Sequence, residues 1–317
     1  MNKLPQKTIS KYFGESALLL MTLIWGATFV IVKESLNDIS STLFIAFRFA
    51  IAAGVLTVIM LIRKNKIDRE SILPGMFLGL LLFLGFATQT IGLKNTSATK
   101  SGFITGSLVV MVPIFQMIIE KRMPTKGAVI GTILVFIGIV FLSSGGSSIT
   151  NFLNELGANF NFGDGMTLIC AMFFAVHVVY IDIISAKNDF WTILIAQLAT
   201  VSMLSFIASF VFAGVSYESI HVSFTKYLLF GLLYTSLLAT LFNLGLQTKF
   251  QKVVSPTKAG IIYSFEPIFA AMFAFFLLNE KISNFGLAGG ALIFLGLIAS
   301  EVFDSIFSKD QKENGSR

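Results

Sequence analysis

The chain has 317 residues, 55% of them hydrophobic and 13% charged, with a formal net charge of +6 and a mean hydropathy of +0.83. That is too little polar surface to cover a soluble globule of this size, so the bilayer must serve as its solvent. The basic excess is no nucleic-acid footprint, because its lysines and arginines are spread among short loops rather than gathered in one patch.

Ten apolar runs follow one another, near residues 15–33, 41–62, 72–93, 101–119, 127–143, 164–184, 191–213, 226–247, 259–278 and 285–303. Each is long enough, at 1.5 Å per residue, to cross the hydrocarbon core as a helix. They are apolar on every side and lack the alternation of a barrel strand. The first run follows Lys3, Lys7 and Lys11, as in a signal peptide, but ends in Lys33-Glu34 with no small-residue cleavage pattern, so it reads as a retained helix. Glu15 and Asp164, at helix starts, read as end caps favoured by the helix dipole. Cys170, the single cysteine, can form no internal disulfide and reads as a small apolar packer.

With the N-terminus inside, the inner segments hold seventeen Lys and Arg and the outer ones five: Lys33, Lys94, Lys100, Lys226 and Lys281. The bias predicts that both termini are cytoplasmic. Five helices per half is an odd number, so the second half must enter the membrane in the opposite sense. The halves also match in sequence. At an offset of 158, Thr99-Lys100-Ser101-Gly102 recurs as Thr257-Lys258-Ala259-Gly260, the Gly131–Gly138 stretch recurs from Gly289 to Gly296, and Gln89 answers Gln247. At an offset of 149, Trp25 answers Phe174, Thr28 answers His177 and Arg48 answers Gln197. The fold expected is an all-α integral membrane protein with ten transmembrane helices as two inverted five-helix repeats. Its parts are a cytoplasmic segment (1–14), a first repeat (15–143), an extracytoplasmic linker (144–163), a second repeat (164–303) and a cytoplasmic tail (304–317).

Trp25-Gly26, Arg48 between two phenylalanines, the Gly102–Gly106 stretch leading to Val112-Pro113, and Phe265-Glu266-Pro267 leading to Leu278-Asn279-Glu280-Lys281 carry a family resemblance. The chain resembles a ten-helix, EamA-type member of the drug/metabolite transporter superfamily over residues 15 to 303. The resemblance implies export or exchange of a small metabolite through a central cavity lined mainly by helices 1, 3, 4, 6, 8 and 9.

The polar residues within the runs are the candidates for that cavity. Arg48 costs about 2.5 to 3.5 kcal/mol at mid-membrane by insertion scales and needs a partner or water. It could contact an anionic substrate group, pair with a gating carboxylate, or anchor the helix at the interface. Glu266 precedes Pro267, which removes a helix hydrogen bond and frees the carbonyl of Tyr263; the carboxylate could carry a coupling proton or pair with Arg48. His177 suits proton coupling or an interhelical contact, and no cluster with metal spacing accompanies it. Gln89, Gln247, Gln116 and Asn243 can donate and accept at once, while Trp25, Tyr180 and Tyr234 could form an aromatic wall and Thr28 lies opposite His177 in the repeat. Pro113 and Pro267 should bend helices 4 and 9, and glycines such as Gly79, Gly102, Gly131, Gly138, Gly290 and Gly296 should allow close helix contact.

An Arg, a Glu, amides and aromatics fit an amino acid or similar amphoteric metabolite better than a sugar phosphate, which would call for several mid-membrane cations. The expected function is therefore a secondary-active exporter or exchanger in the cell membrane, working by alternating access without cofactor or metal, as monomer or homodimer. A broad drug exporter is the alternative. A membrane enzyme acting on a lipid-soluble substrate is the alternative of another class, but it would need a nucleophile or metal constellation, and neither HExxH nor GxSxG occurs.

Overall fold

The computed structural model describes residues 11–96, 98–143, 150, 160–278 and 284–314. The first ten residues, most of the linker after Ser143, Asn279-Glu280-Lys281 and the side chain of Lys100 lie outside the described residues. Within them the secondary structure is helical, with one isolated antiparallel bridge between Ile39 and Val222.

In chain order the helices are α1 (Lys11–Gly26, resuming as Thr28–Ser35), α2 (Ser41–Ile62), α3 (Arg69–Asn95), α4 (Ala98–Gly106, resuming as Leu108–Glu120) and α5 (Lys126–Ser143). They continue as α6 (Phe162–Ser185), α7 (Phe190–Gly214), α8 (Lys226–Leu233 through Asn243–Phe250), α9 (Pro256–Tyr263, resuming as Glu266–Leu278) and α10 (Asn284–Asn314). Starts are marked by side chains that satisfy the first backbone N–H groups: Asp189 accepts from Thr192 N at 2.8 Å, Thr225 accepts from Leu228 N at 3.0 Å, and Asn161 with Asp164 forms a reciprocal capping box. Seven described stretches, in α1 to α4 and α6 to α8, are long and apolar enough to cross a membrane, whereas α5 and α10 contribute shorter apolar stretches and α9 is split in two. Apolar side chains such as Phe210, Phe276 and Ile62 stand exposed on the perimeter, as lipid-facing positions require.

The order of packing puts the interrupted helices inside. Helix α3 packs on α6 and α7, α2 on α7 and the middle of α8, α4 on α6, α1 on α8 and both pieces of α9, and α5 on α10. Buried side chains of α1, α4, α6 and α9, among them Leu18, Met21, Val112, Ala175 and Ile262, make one apolar cluster; Phe49, Leu82, Phe86, Leu198 and Leu244 make another on the α2, α3, α7 and α8 side.

Small residues set how close the helices come. A Cβ at Gly131 would fall 2.7 Å from the Gly296 carbonyl oxygen, and one at Gly138 would fall 2.7 Å from that of Gly289, so α5 and α10 touch backbone to backbone. Gly79 is similarly closed in by Gln197 O and Thr200 on α7. Gly290 and Gly102 do not have this role: the first has open space where a side chain would go, and the second meets only the ring of Phe29 at 3.9 Å. Gly138→Val and Gly296→Val are therefore expected to force α5 from α10 and lower the melting temperature in detergent by several degrees, with Gly290→Ala near wild type; equal melting temperatures for all three would contradict this packing.

Candidate functional site

Three helices lose their regular hydrogen bonding beside one cavity, which residues on both sides of each break line. Helix α1 breaks at Ala27, α4 at Ser107 and α9 at Ser264-Phe265, and α8 widens to a π-helix over Tyr234–Phe242. Positions 107 and 265 are related by the offset of 158 seen in the sequence. The regular hydrogen bonding of α4 is interrupted at Ser107, six residues before Pro113, and not at the proline itself, which sits inside the helix Leu108–Glu120. Hydroxyls add bonds at the interrupted turns: Thr28 Oγ1 donates to Trp25 O at 2.7 Å, Ser107 Oγ to Ile104 O at 2.6 Å and Ser264 Oγ to Gly260 O at 3.0 Å, the last two carbonyls also accepting the backbone N–H of Ser107 and Ser264. Trp25 Nε1 donates to Ala239 O at 2.8 Å, a carbonyl within the π-helix.

A cavity of about 60 Å³ lies where these irregular segments meet. It is lined by Trp25, Thr28, Arg48, Gln89, His177, Gln247, Tyr263 and Glu266 of the residues singled out in the sequence. Leu82, Phe86, Thr105, Leu108, Phe174, Val178 and Leu244 complete the wall. A space of this size admits a few water molecules. Most of the lining falls into pairs at the two sequence offsets: Trp25 with Phe174, Thr28 with His177, Phe86 with Leu244, Gln89 with Gln247, Thr105 with Tyr263 and Leu108 with Glu266. The register thus held the signal for Thr105, Leu108, Phe86 and Phe174, which polarity alone passes over.

The polar groups have distinct settings. Arg48 is 4% exposed, its Nε donates to Thr240 Oγ1 at 2.6 Å, and its guanidinium lies 4.7 Å from the Phe86 ring centre and 5.6 Å from that of Phe49. Among the described residues no other acceptor meets the guanidinium. Arg48 and Glu266 line one cavity but form no ion pair, and among the described residues nothing hydrogen-bonds to the Glu266 carboxyl. His177 Nε2 meets Gln197 Oε1 at 3.1 Å, and Gln197 Nε2 donates to Thr248 Oγ1 at 3.5 Å. With the Gln197 oxygen facing the ring, His177 donates from Nε2 and keeps Nδ1 as an acceptor. Gln89 Nε2 donates to Thr105 Oγ1 at 3.4 Å; Tyr263 Oη and Gln247 Nε2 both donate to Gln251 Oε1, at 2.7 and 3.2 Å. The cavity can therefore offer a guanidinium, a carboxyl, an imidazole and two amides to one small solute.

Four expected site residues stand elsewhere. Gln116 Oε1 accepts from Thr257 N and Oγ1, at 3.1 and 2.6 Å, tying α4 to the start of α9. Tyr180 packs edge-on against Phe77 of α3. Tyr234 Oη donates to Ile24 O at 2.9 Å and Asn243 Nδ2 to Met21 O at 3.0 Å, so both brace α8 against α1. Their helical phase, invisible in an all-apolar run, turns them away from the cavity.

Contacts at both ends of the bundle lie off the cavity. At the inner end by the charge bias, Lys258 Nζ meets Glu15 Oε1 at 2.6 Å with the two side chains 6% and 16% exposed. Glu15 is thus an ion-pair partner across α1 and α9 rather than the end cap expected, while Asp164 does cap α6. At the opposite end Lys33 Nζ donates to Leu93 O and Thr96 O at 2.6 and 2.5 Å. Glu218, in the loop after α7, accepts from Ser41 N and Oγ at 3.0 Å and from Lys94 Nζ at 2.8 Å.

A bundle of apolar helices around a buried cavity that holds an acid, a base and amides has the form of a multi-pass membrane transporter. The chain belongs to the EamA-like transporter family, whose pattern matches it in two stretches, residues 12–144 and 161–300. It is 31% identical to an uncharacterized transporter of Archaeoglobus fulgidus over 92% of this chain and 86% of that one. It is 28% identical to the uncharacterized transporter YoaV of Bacillus subtilis over 88% and 94%. A crystal structure of a protein superposes with a TM-score of 0.72 over 92% of this chain and 98% of its own; at 14% identity that likeness is one of fold. The family and the apolar helices make this a multi-pass membrane protein, in keeping with the cell membrane.

The Glu218 carboxyl lies below the ordinary glutamate range, although burial alone would raise it, because Lys94 and the Ser41 N–H and hydroxyl favour its charged form. A carboxyl with a lowered folded-state pKa adds stability above the unfolded value, and that stability is lost as pH falls through the folded one. Amide exchange of the loop around Glu218 is accordingly expected to quicken as pH drops below about 4.3, the ordinary glutamate value. After correction for intrinsic exchange, Glu218→Gln should be fast and pH-independent; the same pH response in both proteins would remove Glu218 as the outer clasp.

Proposed function

We propose that this protein is a secondary-active transporter that exports or exchanges a small amphoteric metabolite, an amino acid or a compound of similar charge pattern, by alternating access. The observation that carries the reading is the composition of the cavity wall: neutral positions pair across the two halves, while the charges do not. Glu266 answers Leu108, and Arg48 answers Gln197. A cavity that contains one unpaired acid and one cation with free donors is suited to a solute carrying both signs.

The two stretches that match one family pattern support an architecture of two five-helix repeats of opposite orientation, near 15–143 and 164–303. The packing supports it too. In repeat register, α3 on α6 corresponds to α8 on α1, α4 on α6 corresponds to α9 on α1, and α2 with α7 and α5 with α10 correspond to themselves. Such an arrangement moves as two bodies around a fixed midplane site. The Glu15–Lys258 pair then closes the inner side, and positions 164 and 100 are its counterparts at the outer side.

In a narrow cavity the first event is opening. Separation of α1 from α9 would break the Glu15–Lys258 pair, widen the space between Trp25 and Tyr263, and let a solute reach Arg48 and Glu266. A carboxylate part would take the free guanidinium donors and an ammonium part would meet Glu266. A proton on Glu266 or His177 could couple to the cycle, and the substrate itself could do the same by exchange.

Glu266→Gln and Arg48→Ala are expected to slow amino acid flux into proteoliposomes at least tenfold while both proteins still insert and melt cooperatively. Wild-type flux in both would take the charges out of transport. Breaking the inner pair should act on conformation instead. In a Cys170→Ser, Gln247→Cys background, Glu15→Gln should speed labelling by a water-soluble maleimide applied from the inner face several-fold, and unchanged labelling would show that the pair does not close that side.

A further inference from the structure

A second cavity opens on the surface of the bundle and shares no residue with the first. It is a groove of about 670 Å³ between α1, α2, α7 and α8. Leu20, Leu56, Ile59, Leu194 and Leu241 give it apolar walls, and Gly245 leaves its floor without a side chain. One end carries two exposed cations, Arg63 and Lys249, with no carboxylate among the lining residues. Arg63 lies 5.4 Å from the centre of the Trp191 ring, and Lys249 lies 5.3 Å from that of Phe250. These residues stand at the end of α2, the start of α7 and the end of α8, so the charged end is the one the Lys and Arg bias places in the cytoplasm. From Lys249 to Leu237 is roughly 18 Å of helix, close to the roughly 15 Å depth of one leaflet's hydrocarbon.

From this geometry we infer that the groove is a binding site for an anionic phospholipid of the cytoplasmic leaflet, its phosphate between Arg63 and Lys249 and an acyl chain against Gly245. The charge pattern selects this occupant. A second copy of the chain would bring another apolar helix face and leave both cations without counter-charge, whereas a lipid satisfies the apolar length and the basic end together. Trp191, an amphipathic ring at the headgroup level, holds the guanidinium in place by its face. Helix α8 separates the groove from the central cavity, presenting Leu244 and Gln247 to one and Leu241, Gly245 and Lys249 to the other. The inference is independent of what the central cavity transports.

The chain's two tryptophans make a direct test, because Trp191 lines the groove while Trp25 is bonded to Ala239 inside the bundle. The full-length protein is reconstituted in phosphatidylcholine vesicles with rising fractions of phosphatidylglycerol brominated on its acyl chains, or with brominated phosphatidylcholine as the reference. Fluorescence quenching should half-saturate at about tenfold lower fraction for phosphatidylglycerol, as two basic residues near an anionic surface allow, and Trp191→Phe should remove that component. Arg63→Gln with Lys249→Gln should abolish the preference. Lys64→Gln with Lys66→Gln, which takes the same charge from the same face outside the groove, should preserve it. A Cβ at Gly245 would meet only Leu194, at 3.7 Å, so Gly245→Leu should fold, fill the floor and weaken quenching by both lipids. Equal quenching by both lipids in the wild type, or equal loss of preference in the two double variants, would overturn the site.

Discussion

Hydrocarbon offers no hydrogen bonds, so each main-chain N–H and C=O in this chain must find a partner within the protein or in a pocket of water. Regular helix meets that demand without help. Wherever the helix stops, the demand reappears locally, and in this protein it reappears around one cavity in α1, α4 and α9, while α8 carries π-turns. The hydroxyls of Thr28, Ser107 and Ser264 and the indole of Trp25 answer part of it. The remaining polarity is what makes the cavity possible, because a solvated hollow is tolerated only where it is walled by protein.

The same economy separates two kinds of polar residue in the bundle. Tyr234, Asn243, Gln116 and Gln251 spend their groups on carbonyls and side chains of a neighbouring helix. They fasten the irregular segments and, standing off the cavity, do not line it. Arg48, Glu266 and the Nδ1 side of His177 keep capacity in reserve. A buried cation resting on two aromatic faces with most of its donors unused is an expensive arrangement, and a ligand with negative charge would relieve it.

Much of the fold could be read from the sequence because its signals there are collective. Apolar runs, charge bias and the fixed offsets each sum over many residues, and the runs fall on described helices, although α10 continues to Asn314, well past the expected end at residue 303. The cavity was legible in part, for the same reason. Of the twelve side chains chosen by polarity, eight line it, among them all six that the sequence pairs at a repeat offset, Trp25, Thr28, Arg48, Gln89, His177 and Gln247, together with Tyr263 and Glu266. Helical phase defeated the rest, since a run apolar on all sides does not say which face Tyr180 or Asn243 presents. The Glu15–Lys258 pair was hidden for another reason: it joins two helix ends more than two hundred residues apart, and only packing brings them together.

The unequal halves of the cavity have a consequence for what it can distinguish. Two identical subunits meeting around an axis would set every acid opposite an acid and every base opposite a base, and like charges facing across a small dry space repel or share a proton. In one chain each position is independent of its twin: position 266 holds a glutamate where position 108 holds a leucine, and position 48 holds an arginine where position 197 holds a glutamine. Under the proposed function, this asymmetry is what would let the protein tell one end of its cargo from the other.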